Sequence, residues 1–489
     1  MALARDAARG ALFSISSGMG ARAVGLVSTL LLARFLSPRE YGEVSVAAVL
    51  VMTATQLSTL GLGQYLIAEP TADRNTAFHV TVFHFFSGIV ALALVVFGGG
   101  LLGGAVDAPH LTRFLPGLVA AALCDRVAYV PERLLVRDLR FGTLSGARSA
   151  AELAYSASSV LFAALGWGAM AVVAGNVARS ALRGTLFLFA VKRRDWLEPG
   201  SLSRDKTRTL FAFGVPMALG ASCQFASRRW DNLLVSHFFG PGPAGAYNLA
   251  YNLADVPAIQ VGEQIGDVLL PSFARLEPSR RAPALLRSMA LLGLVVFPLA
   301  VGLGAVAPTL VSVLFDQRWR SIGPMLVLLS ALSVTRPVGW TVASYLQALQ
   351  RPGLILWLEL LKLVGLMGGI ATFGRVSPLW TCGAVGFAFA LHALASLVVV
   401  ARVEALPLKA SIGSLLPALG ACVPMVAAVL ALRAGLAAWG EPKPWVSLAL
   451  QVIAGALAYA GGAWLVARRP TEDLLARLFD AVRSRGTAA

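Results

Sequence analysis

Arg228, Arg229 and Asp231 stand in the stretch QFASRRWDN, residues 224–232, inside a run that is otherwise suited to hydrocarbon. Arg22, Asp125, Arg126, Arg179, Asp255, Arg336, Glu359 and Lys362 have similarly apolar sequence surroundings, as does Glu263. A charge at the centre of a bilayer costs about 2.5–3.5 kcal/mol or more, so such groups normally face a bundle interior or a wet cavity. Guanidinium forks grip phosphate and carboxylate oxygens in two places and keep their charge at any physiological pH. Arg22, Arg126, Arg179, Arg228, Arg229 and Arg336 are therefore candidates for the lining of a cationic cavity that holds an anionic cargo. Asp125, Asp255 and Glu359 suggest a second chemistry, because a carboxyl in apolar surroundings can load and release a proton or hold a sodium ion.

Each of these residues also has a plainer use. Asp125 adjoins Arg126 and Glu359 precedes Lys362 by three positions, so both carboxylates can simply pair. Asp255, in NLADVPAIQ, has no cation within one helical turn and is the better ion-coupling candidate. Arg228 and Asp231, three apart, can pair on a helix and leave Arg229 about 100° away around the axis. Both arginines can otherwise snorkel to headgroups, whereas Arg22 and Arg179 lie too deep for that. The pair of breakers in RPVG, residues 336–339, puts a charge beside a helix bend.

Other chemistries find no residues to carry them. Cys124, Cys223, Cys382 and Cys422 lie apart in apolar runs, and His79, His84, His110, His237 and His392 have no ligand spacing, so neither a metal site nor a catalytic one is expected. No GxxxxGK[ST] stretch offers a cradle for ATP, and no cofactor is expected beyond a coupling proton or sodium ion.

The elements that must position these side chains are membrane helices. Of 489 residues, 57% are hydrophobic and only 13% charged, about half the charge of a soluble chain. Apolar runs of about 20 residues, enough to cross a bilayer, occur at about 11–36, 44–68, 78–103, 111–136, 146–168, 169–191, 210–237, 245–271, 288–315, 322–350, 353–374, 378–401, 411–434 and 445–467. The expected fold is an all-α integral membrane protein of about fourteen spans, the first of them uncleaved. The net charge of +16 comes from arginines and lysines at the ends of these runs, which argues for topology and against nucleic acid. With the N-terminus inside, the basic clusters around Arg137, Arg193, Arg281 and Arg468 all fall on one face, which supports an even count and two cytoplasmic termini. The longest connection, residues 192–208, is a basic linker with no room for an extramembrane catalytic domain. In the tail, Leu474, Leu475, Leu478, Phe479 and Val482 form one stripe of an interfacial helix suited to anionic lipid.

Two short stretches echo one another. Phe35, Pro38, Gly42 and Ala47 match Phe238, Pro241, Gly245 and Ala250 at one fixed offset, and each set stands between the first and second spans of its half. Six spans separate them, so the halves share an orientation and are related by an axis along the membrane normal. The expected domains are an N-terminal lobe at 1–200, a C-terminal lobe at 201–405, and two further spans with the tail at 406–489. Two such lobes enclose a central cleft of the alternating-access kind.

LLARFLSPREYGEVSVAAVL at 31–50, LSTLGLGQYLI at 57–67 and ERLLVRDLRFGTLS at 132–145 resemble the polysaccharide-transporter, or Wzx-type flippase, family. That family belongs to the multidrug, oligosaccharidyl-lipid and polysaccharide exporter superfamily. The second half matches it mainly through FGVPMALG and the proline-glycine loop. The resemblance implies a bacterial inner-membrane protein, not an enzyme, that moves an undecaprenyl-pyrophosphate-linked oligosaccharide to the periplasmic leaflet for O-antigen, capsule or exopolysaccharide assembly. It implies membrane lipids and the pathway's polymerase and export machinery as partners, while a two-lobe cleft in one chain makes a monomer sufficient. An ion-coupled drug exporter of the same superfamily is the alternative, although the intramembrane charges favour arginine over the acids that cationic drugs require. A membrane polymerase or ligase is the third, disfavoured by short outside loops.

Overall fold

The computed structural model describes residues 20, 24–69, 73–201, 203–274, 276–440, 442–468 and 470–473, with the backbone alone at 257–268, 270, 271 and 274. Arg22 and the tail stripe from Leu474 lie outside the described residues, as does the side chain of Glu263. All regular elements among the described residues are helical, and the chain divides into two compact units, Met1–Ala246 and Tyr247–Ala489.

The first unit carries α1 (Val24–Phe35), α2 (Pro38–Leu57), α3 (Leu62–Ala68), α4 (Arg74–Phe97), α5 (Gly99–Ala105), α6 (Leu111–Arg137), α7 (Phe141–Ala164), α8 (Met170–Ala190), the short α9 (Arg194–Leu197), α10 (Arg204–Phe239) and the first turns of α11 (Pro241–Ala274). The second carries the rest of α11, then α12 (Pro278–Leu314), α13 (Ile322–Leu332), α14 (Arg336–Ala348), α15 (Pro352–Thr372), α16 (Pro378–Val403), α17 (Leu408–Ala438) and α18 (Pro444–Val466).

Among the described residues, nine helices are long and apolar enough to cross a bilayer, or ten when α2 and α3, bent by 57°, count as one span. This set treats α13 and α14 as one span, Ile322–Ala348. The helices α7, α8 and α11, of 24, 21 and 34 residues, are long enough but not in that set. Their polar residues explain the shortfall: α7 holds Arg148 and Glu152, α8 holds Asn176, Arg179 and Arg183, and α11 holds Asn248, Asn252 and Asp255. A chain that buries such groups against other helices needs less apolar surface on those spans.

Helix starts follow local chemistry. Ser37 and Glu40 form a capping box at the head of α2, with Pro38 as the first helical residue. Asp73 caps α4 by accepting from the Thr76 backbone N–H at 2.9 Å, and Lys206 Nζ lies 2.9 Å from the same carboxylate. The linker at 192–208 folds back on this corner: Arg74 pairs with Asp195 at 3.2 Å and Glu198 at 3.3 Å, while Trp196 buries in the first unit's core with Leu66, Leu134 and Phe187. These bonds from Thr76, followed by Lys206, hold the Asp73 carboxyl down from 3.8 to about 2. A depressed carboxyl stabilises the fold above its unfolded value, so this contribution is lost as pH falls from about 4 towards 2. Asp73→Ala should cost about 1 kcal/mol at neutral pH. Guanidinium titrations of the two proteins should converge as pH is lowered through that window; a gap that persists unchanged would refute the cap.

The echoed motifs meet within the first unit. A Cβ added at Gly42 would collide with the Pro241 carbonyl and Gly245, and one added at Gly245 would collide with the Pro38 carbonyl and Gly42. Each glycine lets the head of α2 approach the head of α11 backbone to backbone, as small residues do in membrane helices. Gly245→Val should destabilise this contact by about 1–3 kcal/mol, the range of overpacking. A cysteine pair introduced at Arg39 and Gly242 should then cross-link more slowly; an unchanged rate would exclude the close approach.

Candidate functional site

In the first unit the charges gather on α6, α7 and α8. Arg183 Nη2 lies 2.6 Å from Asp125 Oδ1, and Ser180 donates to Asp125 Oδ2 at 3.0 Å. Arg179 stands 3.6 Å from Glu152, donates to Asn176 Oδ1 at 2.7 Å and covers the Tyr155 ring at 5.3 Å. Arg148 Nε donates to Glu132 at 3.1 Å. At about 1.5 Å per residue, Asp125 lies near the middle of α6, with Glu132 nearer the Arg137 end. Three ion pairs therefore form a seam along the helices, and four of its side chains are far from sealed: Asp125 is 26% exposed, Arg183 28%, Arg179 32% and Glu152 41%.

Arg126 points elsewhere, because adjacent residues on a helix diverge by about 100°. It is 3% exposed and donates to the carbonyls of Thr55 at 2.6 Å, His84 at 3.2 Å and Ser58 at 3.4 Å, and to the Ser58 hydroxyl. The His84 ring lies 3.2 Å from Arg126 Nη1 and stacks on Tyr129 at 3.8 Å. Thr55 and Ser58 end α2, so the guanidinium adds to the serine hydroxyls that already donate to the last carbonyls at the break before α3. The adjacency of Asp125 and Arg126 thus conceals two separate contacts, since Asp125 pairs with Arg183.

On α10, Asp231 and Asn232 are buried while Arg228 and Arg229 are partly exposed. Trp230 Nε1 donates to Thr53 Oγ1 on α2 at 3.2 Å, and Asp231 Oδ1 accepts from the Asn232 backbone N–H at 2.9 Å. The costly triplet is thus anchored at Trp230 and Asp231, with its arginines half-buried beside them.

The second unit holds a sealed cluster. Arg336 pairs with Asp255, although the two stand on different helices, α14 and α11. The expectation that Asp255 lacks a nearby cation holds along the chain but fails in space. Arg336 also lies over Tyr251 at 5.5 Å and Phe389 at 4.8 Å. Lys362 Nζ is 5.6 Å from the centre of the same Phe389 ring and 2.6 Å from Glu359, and His392 Nε2 is 3.8 Å from the same carboxylate. None of these charged side chains is more than 15% exposed. Arg336 reaches the cluster because α13 gives way to a 3-10 turn at Ser333–Thr335 and α14 restarts with Pro337 in its first turn.

The residues missed in the sequence are Glu132, Arg148, Glu152 and Arg183 in the seam, and His392 and Phe389 in the cluster. Two of the spacings carried a signal: Arg148 with Glu152, and Arg179 with Arg183, each stand four apart on one helix face. Among the described residues, no three His, Cys, Asp or Glu side chains group to hold a metal ion.

Comparison with known proteins agrees with this architecture. The profile of a family described as "Polysaccharide biosynthesis protein" matches residues 31–324. The chain is 29% identical over 392 residues to "Succinoglycan biosynthesis transport protein ExoT" of Rhizobium meliloti (strain 1021), covering 78% of each chain. It is 27% identical over 331 residues to "Lipopolysaccharide biosynthesis protein WzxC" of Escherichia coli (strain K12), covering 67% of each. Its fold resembles the lipid II flippase MurJ in an inward closed conformation, with a TM-score of 0.76 at 15% identity over 94% of this chain and 99% of that one. It also resembles an inward-facing MATE-family multidrug transporter, with a TM-score of 0.63 at 13% identity over 80% of this chain and 95% of that one. This multi-pass membrane chain belongs to the polysaccharide biosynthesis family, that of the Wzx-type polysaccharide transporters.

Proposed function

We propose that this protein flips an undecaprenyl-pyrophosphate-linked oligosaccharide from the cytoplasmic to the periplasmic leaflet of the bacterial inner membrane by alternating access. One observation carries the proposal: the ionic seam of α6–α8 lies at mid-helix yet stays partly exposed. A surface there meets either lipid or water, and each charge facing lipid would cost about 2.5–3.5 kcal/mol. The seam therefore suits the wall of a hydrated path for a polar cargo. Two relatives, a succinoglycan transport protein and a lipopolysaccharide biosynthesis protein, support a saccharide as that cargo.

In this mechanism Arg179, Arg228 and Arg229, with Arg22, meet the pyrophosphate and acidic sugars, since guanidinium forks suit both. The sealed pairs Asp255–Arg336 and Glu359–Lys362 are the coupling elements, where a proton or sodium ion would compete with the paired cation for the carboxylate. The lobes, at 1–200 and 201–405 with the remainder at 406–489, rock about the cleft with both termini in the cytoplasm. One chain suffices, with the pathway's polymerase and export proteins beside it.

The test is a gene deletion complemented with wild type, Arg179→Ala and Arg229→Ala, with lipid-linked glycans profiled by mass spectrometry. Loss of the gene should accumulate a completed repeat unit, and each well-expressed variant should clear it at least fivefold more slowly. An unchanged lipid-linked pool with intact surface glycan would refute glycan flipping.

A further inference from the structure

On the face of the first unit opposite its basic loops, a cavity of about 430 Å³ opens between the head of α2, the head of α6 and the α7–α8 turn. That volume falls in the range of small-molecule sites, about 300–1,000 Å³. Its carboxylates are already engaged: Glu40 accepts from the Ser37 backbone N–H at 2.9 Å and the Ser37 hydroxyl at 2.8 Å, and buried Glu43 lies 3.2 Å from His110 and 3.4 Å from Arg39. Arg113 lines the same cavity, is exposed, and among the described residues no carboxylate lies within ion-pair distance of it.

The wall opposite is built by the turn between α7 and α8. Gly166 at φ +83° and Gly168 at φ +55° take left-handed conformations that a side chain would strain, and Gly168 lies so close to Glu40 that an added Cβ would stand 3.0 Å from Oε1. Between these glycines Trp167 is held 51% exposed, with its ring 4.4 Å from that of Phe162. An exposed indole at the lip of a charged cavity offers an apolar plate beside hydrogen-bonding groups. The C–H face of a pyranose ring fits such a plate, its hydroxyls fit Glu40, Glu43 and His110, and a carboxylate on the sugar fits the exposed Arg113.

We propose that this pocket receives an acidic sugar of the glycan, a hexuronate or its like, as the cargo leaves on the outer side. The proposal rests on the flippase function and its topology, and it adds a substrate feature, a negative charge on the sugar itself. An outer-leaflet phosphate could also approach Arg113, but it offers no ring for Trp167, so the saccharide is favoured.

The full-length protein in phosphatidylcholine nanodiscs is titrated with methyl β-D-glucuronide and methyl β-D-glucoside, with ligand contacts read by saturation-transfer NMR. The glucuronide should bind at least tenfold more tightly than the glucoside. Arg113→Ala and Trp167→Ala should each weaken it at least tenfold, and Arg113→Lys should recover part of the loss, with unchanged melting of every variant as the folding control. Equal affinity for the two glycosides, no binding of either, or no effect of the variants would overturn the proposal. Displacement of the glucuronide when phosphatidylglycerol replaces part of the phosphatidylcholine would overturn it too, by assigning the pocket to lipid headgroups. Failed binding with normal glycan clearance in cells would remove the pocket and leave the flippase function standing, whereas intact binding with no export defect on gene deletion would do the reverse.

Discussion

Asp255→Ala is expected to destabilise the second unit by about 3–5 kcal/mol, the cost of removing one partner from a buried ion pair. Arg336 has 9% of its side chain exposed, and apart from Asp255 its cationic head has the rings of Tyr251 and Phe389 beside it. Those rings attract a cation but cannot replace the carboxylate, for a cation–π contact contributes about 0.5–2 kcal/mol. Arg336→Met is expected to cost less, because the carboxyl left behind can take up a proton whereas a guanidinium cannot shed one. The double variant Asp255→Leu/Arg336→Met should recover most of the loss, since an apolar pair of similar volume needs no desolvation of charge. Thermal unfolding of these proteins, with Asp255→Leu alone to close the double-mutant cycle, gives the coupling. If Asp255→Ala melts with wild type, the pair is not a stabilising contact. A double variant that is stable but fails to clear the lipid-linked glycan would assign the pair to coupling, whereas one that is stable and active would make it architecture alone.

Arg126→Met should produce the second large effect. The methionine keeps the apolar stem but abandons the carbonyls of Thr55, Ser58 and His84 in a site where Arg126 is 3% exposed. Ser58 Oγ still donates to the Thr55 carbonyl and Ser87 Oγ to those of Ser58 and His84, so the loss is that of the guanidinium's own bonds, about 1.5–3 kcal/mol for each bond to a charged donor. Gly88 lies against the guanidinium so closely that an added Cβ would collide with it. The space left by the missing head is therefore defined on that side by a helix backbone, which limits collapse around the gap. Arg126→Lys should restore only part of the loss, as one ammonium cannot span the same set of carbonyls. Hydrogen exchange across Ser58–Gly61, between α2 and α3, should accelerate in Arg126→Met while that of α16 stays unchanged. Wild-type exchange in this stretch would refute the brace. A stable Arg126→Met that fails in glycan clearance would return Arg126 to the cargo path.

The membrane class and the positions of the long helices were legible in the sequence because both depend on local quantities. Twenty apolar residues cross a bilayer whatever their neighbours, and a Ser37, Asp73 or Ser203 cap acts within its own first turn. The echo between Pro38–Gly42 and Pro241–Gly245 was also legible as a repeat. That the two motifs are each other's packing partner was not, because an offset in sequence carries no distance.

The charged residues divide in the same way. Their expense in hydrocarbon marked Asp125, Arg126, Arg179, Asp255 and Arg336 before any coordinates, and Glu359–Lys362 was readable as a pair because three residues bring two side chains to one helix face. Tertiary structure alone decided that Asp125 meets Arg183, that Arg126 turns away to end α2, and that Asp255 finds its cation on α14. Which ion meets which depends on how far each helix is rotated about its axis and slid along its neighbour, and small rotations there change every partner. Those two variables are set by packing over whole helices, so no short stretch of sequence contains them.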